Sequence, residues 1–270
     1  MKTVQRGLLG AALVLASAVV AHAQTPASLL VDVAWLAQHL NDRDVVVLHL
    51  GRDYATRHIP GARELTGEPT VAGLAALGVS DSSRIVLYSV GEEIPAMQMF
   101  AFDALGFGER VSLLNGGLIA WTAAGRPVTA EAARITPGKL TAPSPKNLVV
   151  DAEFVKTLAS RPNHRLVDAR APVYYQGIEG MHGKAGHITG AVNIPFTELG
   201  TNKTGIDRER LAKVFADAGI KPGDTVVAYC HIGQQARWLL LGARILGHPV
   251  RLYQGSFHDW TSNDRGPVVK

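Results

Sequence analysis

The 270-residue chain holds one cysteine, Cys230. It follows Val226-Val227-Ala228-Tyr229, an apolar run short enough for a strand, and precedes His231-Ile232-Gly233-Gln234-Gln235. Beyond Gln235, Trp238, Leu239, Leu241, Gly242, Ile245 and Leu246 fall at helical spacing, and Gly247 offers a C-cap. The pattern predicts a strand, a tight loop and a helix. A side chain at the carboxyl end of a parallel strand lies where α/β folds place their ligands. The following helix directs free N–H groups and its positive dipole end at the same spot, and Gly233 permits a loop whose amides converge. Such a cradle favours a thiolate, the nucleophilic form of the side chain. The competing structural reading of a lone cysteine is a packing residue at the end of a buried strand.

The N-terminus sharpens that choice. Lys2 and Arg6 precede an uncharged apolar run, Gly7 to Val20, and Ala21-His22-Ala23 offers a cleavage site before Gln24. Residues 1–23 read as a secretory signal, too short and too rich in Ala and Gly for a membrane span. Export, to a periplasm in a Gram-negative source, puts an unpaired thiol in an oxidising compartment, where it must be buried or used. Losing Lys2 and Arg6 takes 27 basic residues to 25 against 23 acidic ones. With no basic run, that balance argues against nucleic acid, and the apolar run leaves with the signal, so no stable membrane insertion is expected. One cysteine excludes an internal disulfide framework and a cysteine-built zinc site.

The elements around Cys230 occur twice. Leu29-Leu30-Val31-Asp32 matches Leu148-Val149-Val150-Asp151, with each Asp placed as a helix N-cap. Arg57-His58-Ile59-Pro60-Gly61-Ala62 matches Gly186-His187-Ile188-Thr189-Gly190-Ala191. Ile85-Val86-Leu87-Tyr88-Ser89 matches Val226-Val227-Ala228-Tyr229-Cys230, and Trp121 matches Trp260. The offset between copies grows along the chain, which places insertions in the second copy at 174–186 and 197–210. Residues 126–147, with Pro127, Pro137, Pro143 and Pro145, read as a linker. Alternating strand and helix patterns predict two α/β domains, 27–125 and 148–270, each a mainly parallel sheet flanked by helices.

In this light the mature chain resembles a tandem-domain rhodanese, a sulfurtransferase of the thiosulfate or mercaptopyruvate type. The resemblance rests on Val167-Asp168-Ala169-Arg170, on Gly186-His187-Ile188-Thr189-Gly190-Ala191-Val192-Asn193-Ile194-Pro195, on Tyr229 to Ala236, and on Tyr253-Gln254-Gly255-Ser256-Phe257-His258-Asp259-Trp260. It implies that Cys230 carries sulfur as a persulfide and that residues 230–235 (Cys230, His231, Ile232, Gly233, Gln234 and Gln235) form the active loop. It implies a small anionic sulfur donor, a cyanide or thiol acceptor, and no metal or organic cofactor. Asp168 and Arg170 are read as an internal ion pair that props the loop, and His187 as scaffold. Ser89 stands where the second copy has Cys230, and His49 where it has Asp168, so the first domain is read as non-catalytic.

The loop departs from both family types. His231 and Ile232 match neither the cationic loop of thiosulfate-type members nor the small residues of mercaptopyruvate-type members. Gln235 stands where Thr is common, and Tyr174 and Tyr175 occupy the region where a substrate-binding arginine is common. The insertion supplies His182 and Lys184 as candidates for an anionic donor. A cysteine-dependent phosphatase needs an arginine six residues after the cysteine; that position is Ala236. A redox thiol enzyme lacks a second cysteine. The alternative kept open is a persulfide carrier serving a protein acceptor.

Overall fold

The computed structural model describes residues 28–91, 93–181, 184–200 and 205–270. The predicted signal segment and His182 lie outside the described residues. The first half contains β1 (Leu30–Val31), α1 (Val33–His39), β2 (Val45–His49), β3 (Arg63–Glu64), α2 (Val71–Ala76), β4 (Arg84–Tyr88), α3 (Glu93–Ala104), β5 (Val111–Leu114) and α4 (Gly117–Ala123). The second opens with β6 (Val149–Val150), α5 (Ala152–Lys156), β7 (His164–Asp168) and α6 (Pro172–Tyr175). Short strands β8 (Gly180–Met181), β9 (Lys184–Ala185), β10 (His187–Ile188) and β11 (Val192–Asn193) follow. The half closes with α7 (Arg208–Asp217), β12 (Thr225–Tyr229), α8 (Gln234–Ile245), β13 (Val250–Tyr253), α9 (Ser256–Ser262) and β14 (Val268–Val269).

Each half builds a five-stranded sheet whose strand pairs are all parallel, in the orders β1-β5-β4-β2-β3 and β6-β13-β12-β7-β11. The two orders are the same topology. Central strands of such sheets are covered on both faces, which is why β4 and β12 read as continuous apolar runs. The duplicated aspartates do cap their helices: Asp32 accepts from the Trp35 N–H at 2.7 Å and Asp151 from the Phe154 N–H at 2.8 Å.

The repeat extends to side chains. His58 stacks on Tyr54 with ring centres 4.0 Å apart, and His187 on Tyr175 at 3.7 Å. The Tyr88 hydroxyl accepts from the Ile59 N–H at 2.8 Å, and the Tyr229 hydroxyl from the Ile188 N–H at 3.1 Å. Each copy therefore ties the His-containing turn to its central strand in the same way. The turn is covered by different chain segments: Thr129, just after α4, pairs with His58, whereas β14 at the C-terminus pairs with β10.

The halves share one core. Met99, Phe100 and Phe102 of α3 and Trp238, Leu239 and Leu241 of α8 belong to one buried apolar cluster, which also contains Cys230. Separate clusters fill the outer face of each sheet. At the shared face Asp103 of α3 lies 3.3 Å from the Arg244 guanidinium of α8 and 3.2 Å from the Lys146 amine. Asn115 after β5 both accepts from the Ile206 N–H, at 2.7 Å, and donates to its carbonyl, at 3.1 Å. One of the second copy's insertions thus serves the contact between halves.

Candidate active site

Cys230 leaves the end of β12 and only 1% of it is exposed. Its Sγ accepts the Gly233 N–H at 3.1 Å. Gly233 is the N-cap of α8 with φ of 90°, and a Cβ there would lie 2.9 Å from the Gln254 carbonyl oxygen. Only glycine takes that backbone conformation and that contact without strain. The sulfur therefore sits under a glycine-turned loop at the positive end of a 12-residue helix.

The stretch from Tyr253 to His258 holds the loop from below. The Phe257 N–H donates to the Cys230 carbonyl at 3.0 Å and the His258 N–H to the His231 carbonyl at 3.1 Å. Gln254 Nε2 donates to the Ile232 carbonyl at 3.3 Å. The Cys230 N–H donates to Ser256 Oγ at 3.3 Å, and Ser256 Oγ donates to the Tyr253 carbonyl at 2.9 Å. Ser256 is fully buried with φ of 57°, an uncommon conformation for a non-glycine residue. At the mouth, His231 meets the edge of Tyr174 at 4.8 Å, and Ile232 is 53% exposed. Gln234 is exposed and Gln235 half-buried, with its Oε1 lacking a hydrogen-bond partner among the described residues.

Asp168 ends β7 in register with Tyr229, one residue before Cys230. The Arg170 Nη2 donates to Asp168 Oδ2 at 2.5 Å, and Nε to Oδ1 at 2.9 Å. Nη2 also reaches the Gly186 carbonyl at 2.7 Å, and the guanidinium lies 3.9 Å from the centre of the Phe257 ring. Both side chains are buried, at 0% and 1% exposure. Each therefore answers the other's charge in a buried ion pair beside the strand that ends at Cys230. Burial, and then the Asp168 charge, hold the Tyr229 phenol well above its ordinary pKa, so it stays protonated. His187 Nδ1 lies 2.8 Å from the Tyr175 carbonyl, a scaffold contact.

Of the two anion-binding candidates, only Lys184 is described. It is exposed on β9 and makes no ion pair among the described residues. Another cation touches the residues that hold the loop. Arg237, in the first turns of α8, reaches Gln254 Oε1 at 3.3 Å and Glu68 of the first half at 3.0 Å. Gln254 and Ser256 stand in a quoted motif, yet their bonds to the loop carry no linear signal. Tyr174 reads only as a replacement for an arginine.

The first copy repeats the scaffold with other chemistry. The Leu118 N–H donates to the Ser89 carbonyl at 2.8 Å, as Phe257 does to Cys230. Ser89 Oγ donates to the Gly91 carbonyl at 2.5 Å. His49 is fully buried, with Nε2 3.2 Å from Asp53 Oδ1, and burial pushes its pKa below the ordinary value.

A family model described as the rhodanese-like domain matches residues 24–124 and again 151–263. The chain belongs to the rhodanese family. It is 33% identical to a protein of Pseudomonas aeruginosa named as a probable 3-mercaptopyruvate sulfurtransferase, over 87% of this chain and 95% of that one. It is 31% identical to the sulfur carrier protein TtuD of Thermus thermophilus, over 89% and 96%. Its fold matches the crystal structure of SseA from Escherichia coli with a TM-score of 0.70 at 23% identity, over 86% of this chain and 99% of that chain. This rhodanese is a sulfurtransferase with two copies of the domain. Among its described residues no group of three His, Cys, Asp or Glu is placed to hold a metal ion, and no helix is long and apolar enough to cross a membrane.

Proposed function

We propose that this rhodanese moves a sulfane sulfur from a small anionic donor, thiosulfate first, to cyanide or a thiol through a persulfide on Cys230. The carrying observation is Cys230 Sγ beneath the glycine-turned loop, accepting the Gly233 N–H at the N-terminus of α8. The Cys230 thiolate attacks the outer sulfur of thiosulfate, the S–S bond of the donor breaks, and sulfite leaves with the electron pair. Cyanide then attacks the terminal sulfur of the persulfide, that S–S bond breaks, and thiocyanate leaves with Cys230 restored as thiolate. Fixed N–H donors and the helix dipole stabilise the anionic sulfur without reorganising. Each step is a two-electron displacement, so no metal or organic cofactor enters. Asp168 and Arg170 hold the loop and do not touch the donor.

The test is the intact mass of the purified protein after thiosulfate, beside Cys230→Ser. A gain of one sulfur atom, absent from the variant and discharged by cyanide, is expected. A Cys230→Ser protein that still turns over would sink the assignment. A second reading is a persulfide carrier for a protein acceptor. Its support is the burial of Cys230, together with a relative named as a sulfur carrier. Such a carrier loads once and stalls with cyanide, so multiple-turnover kinetics separate the two. Export belongs to the same proposal, and N-terminal sequencing of the mature protein is expected to begin at Gln24.

A further inference from the structure

Against the face of its sheet turned away from Cys230, the second domain holds a cavity of about 500 Å³. That volume is within the range of small-molecule sites. Leu158, Leu166, Ile188, Val192 and Trp260 give it apolar walls, and Lys156, Arg161, Arg165 and Arg265 contribute cations. No aspartate or glutamate lines it. Its lining runs along β7 from His164 to Leu166 and includes Val192, which pairs with Val167. None of residues 230–235 or 253–258 lines it, and Leu166, Ile188 and Trp260 belong to the apolar cluster on the other face of the sheet from the cluster that holds Cys230. The cavity is therefore distinct from the sulfur site.

The charge around it can be counted. Lys156 bonds Glu153 at 2.7 Å, Arg165 bonds Asp224 at 3.2 Å, and Arg265 bonds Asp259 at 3.2 Å. All three carboxylates lie outside the lining. Arg161 has neutral partners, Thr157 Oγ1 at 2.9 Å and the Phe154 ring at 4.7 Å. Burial, then the nearby Arg161 and Arg251, push the His164 pKa below its ordinary value, so at neutral pH it adds no charge. One positive charge is left over at an apolar cavity. The buried Nε of Arg265 is a further donor without an acceptor among the described residues.

The first domain is an internal control. The turn before β2 bonds the Val45 N–H to the Asp42 carbonyl, and the turn before β7 bonds the His164 N–H to the Arg161 carbonyl. At positions equivalent to Lys156, Arg161, His164 and Arg165 the first copy has Ala37, Asp42, Val45 and Val46. Both copies keep the same topology, so these charges are not required by the fold.

We propose that this cavity is a second binding site, for a small amphipathic monoanion with an apolar body and one carboxylate head. The body lies against the Leu158–Trp260 walls, and the carboxylate meets Arg161 at the rim. This site stands apart from the persulfide reading and does not depend on it.

Isothermal titration of the full chain with octanoate, and with octanol as the uncharged counterpart, tests it. Saturable 1:1 binding of octanoate is expected, with octanol at least about tenfold weaker. Arg161→Glu is expected to weaken octanoate about tenfold, Arg161→Gln less, and the surface control Lys221→Glu not at all. Each variant's melting curve checks that it is folded. Absence of saturable octanoate binding overturns the site. Equal affinity for octanol, or equal loss in Arg161→Glu and Lys221→Glu, overturns the anionic specificity and with it the proposal.

Discussion

At the scale of single residues, Asp168 and Arg170 form the internal ion pair that their spacing suggests, sealed from solvent. Two charges with essentially no exposure are tolerated because each finds several partners: Asp168 takes the Arg170 side chain and its N–H, and Arg170 also reaches the Gly186 carbonyl. Removing one member strands the other in a buried site, at a cost of about 3–5 kcal/mol. Asp168→Asn is therefore expected to lower the urea midpoint sharply, by loss of stability rather than of chemistry. A paired Asp168→Leu/Arg170→Met variant should recover much of that loss. If Asp168→Asn keeps wild-type stability while sulfur transfer vanishes, the residue acts on the substrate and the brace assignment is wrong.

At the scale of elements, the strand–loop–helix unit from Thr225 to Ile245 sets the geometry of the sulfur, and Gly233 is its pivot. A side chain at Gly233 meets both an unfavourable φ and the backbone of Gln254. The left-handed conformation alone costs about 1–2 kcal/mol for a residue with a Cβ. Gly233→Ala is expected to leave far-ultraviolet circular dichroism unchanged and to slow persulfide formation markedly, because the N–H that faces Sγ moves with the turn. A variant that loads sulfur at the wild-type rate would show that this hydrogen bond is dispensable. Most of this unit is legible from the sequence: an apolar run of strand length, a helical repeat and a helix-ending glycine. Residues 253–258, which hold the loop carbonyls, are not legible as a partner. Their N–H groups reach the loop only after β13 has paired beside β12.

At the scale of the whole molecule, the two halves are joined by α3 and α8, and a charge cluster centred on the buried Asp103 crosses that face. Asp103 answers both Arg244 and Lys146, and the Arg244 side chain is only 15% exposed. Asp103→Ala should cost about 3 kcal/mol by leaving the guanidinium unpaired, read as a lower midpoint of one cooperative unfolding transition. Two separated transitions in the wild-type protein would contradict the shared core.

The sequence by itself determined the duplication, the parallel α/β class and the candidate nucleophile. These depend on local periodicity, capping residues and the type of one side chain, which are all short-range properties. Tertiary structure alone decided that Asp168 and Arg170 are sealed from solvent, that Arg237 spans from Gln254 to Glu68, and that a cationic cavity opens on the face of the sheet turned away from Cys230. Each of those joins residues distant along the chain, and burial and charge pairing are set by which elements meet, a property that spacing within any one element does not encode.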